Sequence, residues 1–208
     1  LAAFALLAFH PERLSRRLVT VAALAGGAGP LAVLGPTVLL WRAGALANGG
    51  LAPIFTLDFV THRIDLAMAL DPLSAVTGLT VATVAPAVML YAVEYMKGAP
   101  PLDLRRFFAL MNLFVAGMLA MVLAGDSIVL FLGWELMGLC SFFLIGYDTA
   151  SPRAYAAGRK AFVITRVADG ALLAGLLLLF LEAGSVRLEA LIAAGVAAEP
   201  GRGALIAA

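Results

Sequence analysis

Three ionisable residues stand where charge is expensive. Glu135 lies in the middle of one long apolar segment (FLGWELMGLCSFFLIGYD), and Arg166 and Asp169 lie in the middle of the next (RKAFVITRVADG). A carboxylate near the centre of a bilayer costs on the order of 2.5–3.5 kcal/mol on insertion scales, so it is expected to face a bundle interior, paired, hydrated or protonated. Desolvation raises a carboxyl pKa and a nearby cation lowers it, and a Glu balanced between the two can load and release a proton near neutral pH. The same placement also suits a hydrogen-bonded glutamic acid that only joins helices. Arg166 and Asp169, spaced i, i+3, share one helix face and can pair. Because Arg stays charged, they read either as a fixed ion pair that orients the helix or as part of a proton relay. Lys160, at the end of the same segment, reads as an interfacial anchor whose stem can snorkel, or as a pathway residue.

Apolar composition explains why these charges are costly. Hydrophobic residues make up 63% of the 208-residue chain and charged residues 13%, with a mean hydropathy of +1.02. A soluble domain has roughly 45–50% apolar and about 25% charged residues, so this composition indicates a polytopic membrane protein. The net charge of +1 gives no reason to expect a nucleic-acid partner. The one cysteine, Cys140, excludes an internal disulfide framework, and His10 and His62 lie far apart beside no acidic cluster, so no metal site is expected. No Cys cluster, haem-type ligand pair or nucleotide loop marks a cofactor.

About 20 apolar residues cross a bilayer core about 30 Å thick. The sequence divides into about six spans: the opening run to Phe9, Leu18 to Trp41, Leu73 to Ala92, Phe107 to Ala124, Ser127 to Tyr147, and Ala161 to Leu181. Pro30 and Pro36 in the second span are tolerated where neighbours re-satisfy the backbone. Between the second and third spans, FTLDFVTHRIDLAMAL alternates around Thr61 to Arg63, which predicts a small β-hairpin. Asp71-Pro72 has the N-cap and N1 types of a helix start, and Asp126 can cap the helix after the tight Gly125-Asp126 turn. His62 reads as a solvated loop histidine. Gly133, Gly138 and Gly146 allow close helix approach around Glu135, which lies about 12 Å, or eight residues, into its span.

The basic residues fall on alternate loops. PERLSRR, the loop from Glu94 to Arg106, and the loop from Asp148 to Lys160 each carry three Lys or Arg; on the opposite side the long loop has Arg42 and Arg63 and the Gly125-Asp126 turn has none. The positive-inside rule places the three basic loops in the cytoplasm and the hairpin outside. The opening apolar run lacks the basic start and small-residue cleavage site of a signal peptide. With no Met at its start and an apolar stretch at its end, the chain reads as a piece of a longer protein.

GWELMGLCSFFLIGYD and KAFVITRVADG, preceded by LDPLSAVTG and RRFFALMNLFVAGMLAMVLAGDSIVLFLG, resemble the antiporter-like L subunit (chain 5) of proton-pumping NADH:quinone oxidoreductase, complex I. The resemblance is dense from Asp71 to Gly184 and weaker before. It implies that Glu135 is the fifth-helix glutamate of the proton path and that Arg166 and Asp169 are the sixth-helix pair of a TRVGD-like motif. It also implies that a lysine on a seventh helix, beyond these residues, partners Glu135. The related A subunit of multisubunit sodium/proton antiporters also uses GWEL; GLCS together with Arg166 and Asp169 favours complex I. LMG after Glu135 and Phe142-Phe143 after CS depart from the commoner pattern.

The expectation is therefore an all-α transmembrane helix bundle with a small extracytoplasmic β-hairpin. Its regions are 1–41 (N-terminal helices), 42–70 (outer loop with hairpin), 71–184 (core helices) and 185–208 (a loop and the start of a further span). The implied function is proton translocation in the bacterial inner membrane. Redox chemistry would reside in partner subunits, both membrane and peripheral, and Glu135, Asp169, Arg166 and Lys160 would serve as the proton path or its charge partners. The alternatives are a sodium/proton antiporter subunit, with sodium as the coupling ion, and a non-conducting scaffold.

Overall fold

The computed structural model describes residues 3–4, 7, 15–44, 52–58, 63–148 and 151–197. Its elements, in chain order, are α1 (Arg16–Arg42), β1 (Ala52–Asp58), β2 (Arg63–Met68), α2 (Pro72–Tyr95), α3 (Pro101–Val122), α4 (Ser127–Ile145), α5 (Pro152–Ala183) and α6 (Leu188–Ala197). The first five helices are long and apolar enough to cross a membrane, which makes this an integral membrane bundle. Most of the expected first span, and His62, lie outside the described residues. β1 and β2 pair antiparallel, from Ala52 opposite Met68 to Asp58 opposite Arg63, so the predicted hairpin is present.

The helix starts differ from the sequence reading in two places. α3 begins at Pro101, not Phe107, and α5 at Pro152, not Ala161. An apolar run marks where hydrocarbon begins, whereas a helix begins at its first preset turn. Pro at the first helical position supplies that turn, because its φ is already helical and its missing N–H would have had no partner. For α5, Ser151 adds a side-chain acceptor for the Ala154 N–H at 3.4 Å. Arg105, Arg106, Arg153, Arg159 and Lys160 are thus helical residues at one end of the bundle, not loop residues.

Two caps fix the helix starts at the hairpin end. Asp71 accepts from the Ser74 N–H at 2.7 Å while Ser74 Oγ accepts from the Asp71 N–H at 2.8 Å, forming a reciprocal capping box. Asp126 does more than cap α4. It is fully buried; its Oδ1 accepts the N–H groups of Ile128 and Val129, at 3.0 and 2.8 Å, and its Oδ2 accepts the Ala67 N–H from β2 at 2.7 Å. Backbone bonds surround it: Gly125 N–H to Ala67 O, Ala69 N–H to Leu123 O and Ser127 N–H to Val186 O, each 2.8 Å. The turn before α4 therefore lies between β2 on one side and the segment leading into α6 on the other.

Packing runs from α1 and α2 through α3 to α4, and α5 joins the bundle chiefly through α4. A β-carbon on Gly133 of α4 would lie 2.7 Å from both Gly117 O and Met121 N of α3, so these two helices touch backbone to backbone. At the basic end, a β-carbon on Gly158 of α5 would lie 3.2 Å from the Gly146 N and Phe142 O. Along the rest of α5 only Asp169 is also buried.

Removal of the Asp126 carboxylate strands three N–H groups, one of them in the hairpin. Asp126→Ala is expected to cost at least about 2 kcal/mol, the sum of a lost cap and a lost bond to a charged acceptor. Asp126→Asn, which keeps the cap but turns an N–H donor toward Ala67, is expected to fall between. Thermal unfolding of the full-length protein in detergent would rank the three.

Candidate functional site: a charge cluster between two helices

Gly117 and Gly133 bring α4 hard against α3, and this sets the rotation of α4 so that Trp134 and Glu135 turn toward α5. From α5, Arg166 and Asp169 face back. Nη1 of Arg166 forms an ion pair with Oε2 of Glu135 and lies 3.6 Å from Oδ2 of Asp169. Nη2 of Arg166 donates to the backbone carbonyl of Glu135 at 3.3 Å. On the other side of Asp169, the Trp134 indole Nε1–H donates to Oδ1 at 2.6 Å. One guanidinium thus stands between two carboxylates, and an indole holds the second of them.

The slot around Arg166 is shaped by two further residues. The Phe162 ring lies 4.8 Å from the guanidinium carbon, within cation–π range. A β-carbon at Gly138 would lie 2.8 Å from Nη2, so glycine leaves the space the guanidinium occupies. The Arg166 Nε–H is buried with no hydrogen-bond partner among the described residues. Exposure separates the acids: the Asp169 side chain is 7% exposed, and those of Glu135 and Arg166 are 27%. Of the two acids, Glu135 is the less covered by the described residues. Next to the cluster, Met121, Leu130, Trp134, Ala168, Asp169 and Leu172 line a cavity of about 360 Å³.

All the expected site residues except Lys160 come together here. Lys160 is exposed on α5 and forms no ion pair with another described residue; it lies about 9 Å along the helix from Arg166 at 1.5 Å per residue. The expected pair of Arg166 with Asp169 is present at 3.6 Å, and Glu135 joins it as the closer acid. The i, i+3 spacing makes that intrahelical pair available, but the closer approach across the crossing takes the guanidinium. The Trp134 bond was not anticipated. The available signal was a tryptophan N–H beside Glu135 in an apolar segment, since a buried indole N–H needs an acceptor. Past the end of α4, Tyr147 has a buried hydroxyl with no partner among the described residues. Burial pushes its pKa up to about 12, with Asp103 also raising it and Arg106 lowering it. Among the described residues, no three His, Cys, Asp or Glu side chains gather as metal ligands.

Comparison with known proteins finds relatives for the stretches that carry this geometry. Residues 124–206 match the family described as "NADH:quinone oxidoreductase/Mrp antiporter, TM", and residues 57–108 match "NADH-Ubiquinone oxidoreductase (complex I), chain 5 N-terminus". Over these two stretches the chain is similar to this antiporter-like family. NADH-quinone oxidoreductase subunit L of Mycobacterium tuberculosis (strain CDC 1551 / Oshkosh) is 40% identical over 124 residues, which cover 60% of this chain and 19% of the relative. Subunit L of Escherichia coli K12 is 34% identical over 193 residues, 91% of this chain and 30% of the relative. The structure also resembles a chain of the Mrp complex from Dietzia sp. DQ12-45-1b, with a TM-score of 0.69 and 29% identity over 99% of this chain and 22% of that one. The chain thus spans between about a fifth and a third of the length of these relatives. The match over 124–206 takes in all of α4 and α5, and with them the whole charge cluster of this antiporter-like chain.

Loss of the shared cation would leave two acids uncompensated. Arg166→Met is expected to destabilise the full-length protein by about 3 kcal/mol, the lower end of the range for breaking a buried pair. Adding Glu135→Gln should recover part of that loss. A double-mutant cycle on unfolding midpoints is expected to give a coupling above about 0.5 kcal/mol between positions 135 and 166.

Proposed function

We propose that this chain is part of the proton-translocating L subunit of an NADH:quinone oxidoreductase, and that Glu135 is the group that takes up and releases the proton. The observation that carries this reading is the sharing of one Arg166 guanidinium between Glu135 and Asp169 at mid-span. Its formal balance is one negative charge in excess, so the cluster becomes neutral on taking up one proton. In a low-dielectric setting that single proton is worth far more than at a surface. Glu135, the more exposed acid, receives it as Arg166 swings toward Asp169, and gives it up as Arg166 returns. Lys160, with its exposed ammonium on the same helix, is the interfacial cation at the entry end.

In this reading the chain holds no cofactor. Oxidation of NADH and reduction of quinone take place in partner subunits, peripheral and membrane-embedded, and reach this chain as a change in the field around Arg166. The membrane is the bacterial inner membrane, and the core unit runs from 71 to 184. Relatives named as subunit L, at 40% and 34% identity, support the complex I assignment. A second reading, a subunit of an Mrp-type antiporter with sodium as a coupling ion, draws support from the 29% identity to the Dietzia Mrp chain.

Glu135→Gln in the full-length protein, assembled in its complex and measured in sealed vesicles, tests the assignment. Proton pumping is expected to fall at least about tenfold, as for loss of an essential acid–base group. Pumping at the original rate would overturn the role of Glu135. Co-purification with NADH-oxidising iron–sulfur subunits would support complex I; assembly with small membrane subunits alone would support the antiporter.

A further inference from the structure

The cluster contains two carboxylates that could exchange the proton, and its geometry distinguishes them. We propose that Trp134 is the positioning residue that makes Asp169 the permanent anion of the cluster and leaves Glu135 as the carboxylate that exchanges a proton. This rests on the reading of Glu135 as the proton carrier and names what makes it so.

Among the described residues, few groups face Asp169. From α4 come Trp134 and Glu135, from α5 Arg166, and from α3 the uncharged Met121. The indole Nε1–H donates to Oδ1 at 2.6 Å, a short bond to an acceptor that is only 7% exposed. Hydrogen bonding to the charged form of an acid favours that form, and an indole is a donor only, so it has nothing to offer a proton placed on Oδ1. Oδ2 remains, 3.6 Å from Nη1 of Arg166, and is the oxygen to which the guanidinium can move. The two acids therefore differ in their second partner. Asp169 keeps the indole wherever Arg166 goes, whereas Glu135 loses its direct ion pair when Arg166 moves. The exchange step is a proton transfer with no electron moved: a carboxylate oxygen of Glu135, vacated by Nη1, binds a proton delivered through water as Nη1 closes on Oδ2 of Asp169. Release reverses both motions.

A tryptophan that only fills space would do so equally well without its N–H. The test replaces Trp134 in the full-length subunit, within its assembled complex, with 3-benzothienylalanine. This isostere carries sulfur in place of the N–H. The readouts are the pH profile of proton pumping in vesicles and the pH-difference infrared spectrum of the protonated carboxyl C=O stretch, assigned with Glu135→Gln and Asp169→Asn. With Trp134 in place, the band from this cluster is expected to vanish in Glu135→Gln and to persist in Asp169→Asn.

With the isostere, part of the band should become sensitive to Asp169→Asn. The pH profile of pumping is expected to move with the isostere. Trp134→Phe should act in the same direction, and where loss of ring bulk prevents assembly the isostere decides. An unchanged band and profile with the isostere would overturn the proposal, as would a band that Asp169→Asn already abolishes with Trp134 present. If Glu135→Gln pumps normally, the carrier reading itself fails. If Glu135→Gln stops pumping while the isostere is silent, only the role of Trp134 fails.

Discussion

Two acids and one guanidinium at mid-span form an unbalanced set, and the packing around them is arranged to contain it. Charge inside hydrocarbon is retained where it is paired or used. Here Arg166 is surrounded by the Glu135 carboxylate and carbonyl, the more distant Asp169 and the Phe162 ring, with Gly138 leaving it room. The neighbours that shape this slot are the ones needed to hold a planar cation while allowing it two acceptors.

At the hairpin end, the constraint is hydrogen bonding, not charge balance. The turn at Gly125-Asp126 carries β2 on one flank and the lead into α6 on the other, and Asp126 serves α4 and β2 with its two oxygens. A buried carboxylate that meets only N–H donors is satisfied without a cation. Carboxylates therefore do different work at the two levels of the bundle: Asp126 is fully engaged by the backbone, and Glu135 has its charge met by the Arg166 side chain.

Much of this was legible in the residues. Asp71-Pro72 and Asp126 have the types of helix caps and act as such; alternation about Thr61 to Arg63 marked the hairpin; and the mid-span positions of Glu135, Arg166 and Asp169 marked the cluster. Hydropathy could not locate the starts of α3 and α5, because Pro101 and Pro152 begin helices outside the apolar runs. Nor could spacing along one helix show which acid Arg166 would meet. That depends on how α4 is rotated against α5, and the rotation is set by the Gly117 and Gly133 contact with a third helix. The Trp134 bond is hidden from spacing for the same reason, since its acceptor lies 35 residues away.

Backbone contact at Gly117 and Gly133 makes α3 and α4 a single stiff wall. α5 meets that wall closely near Gly146 and Gly158, and then again through the side chains of the cluster, eleven residues or about 16 Å further along. Beyond its end, α5 is tied to the same wall again, by the Ser127 N–H to Val186 O bond. Breaking the bonds from Trp134 and Glu135 would therefore leave a helix still held at both ends, free only to bow at its middle.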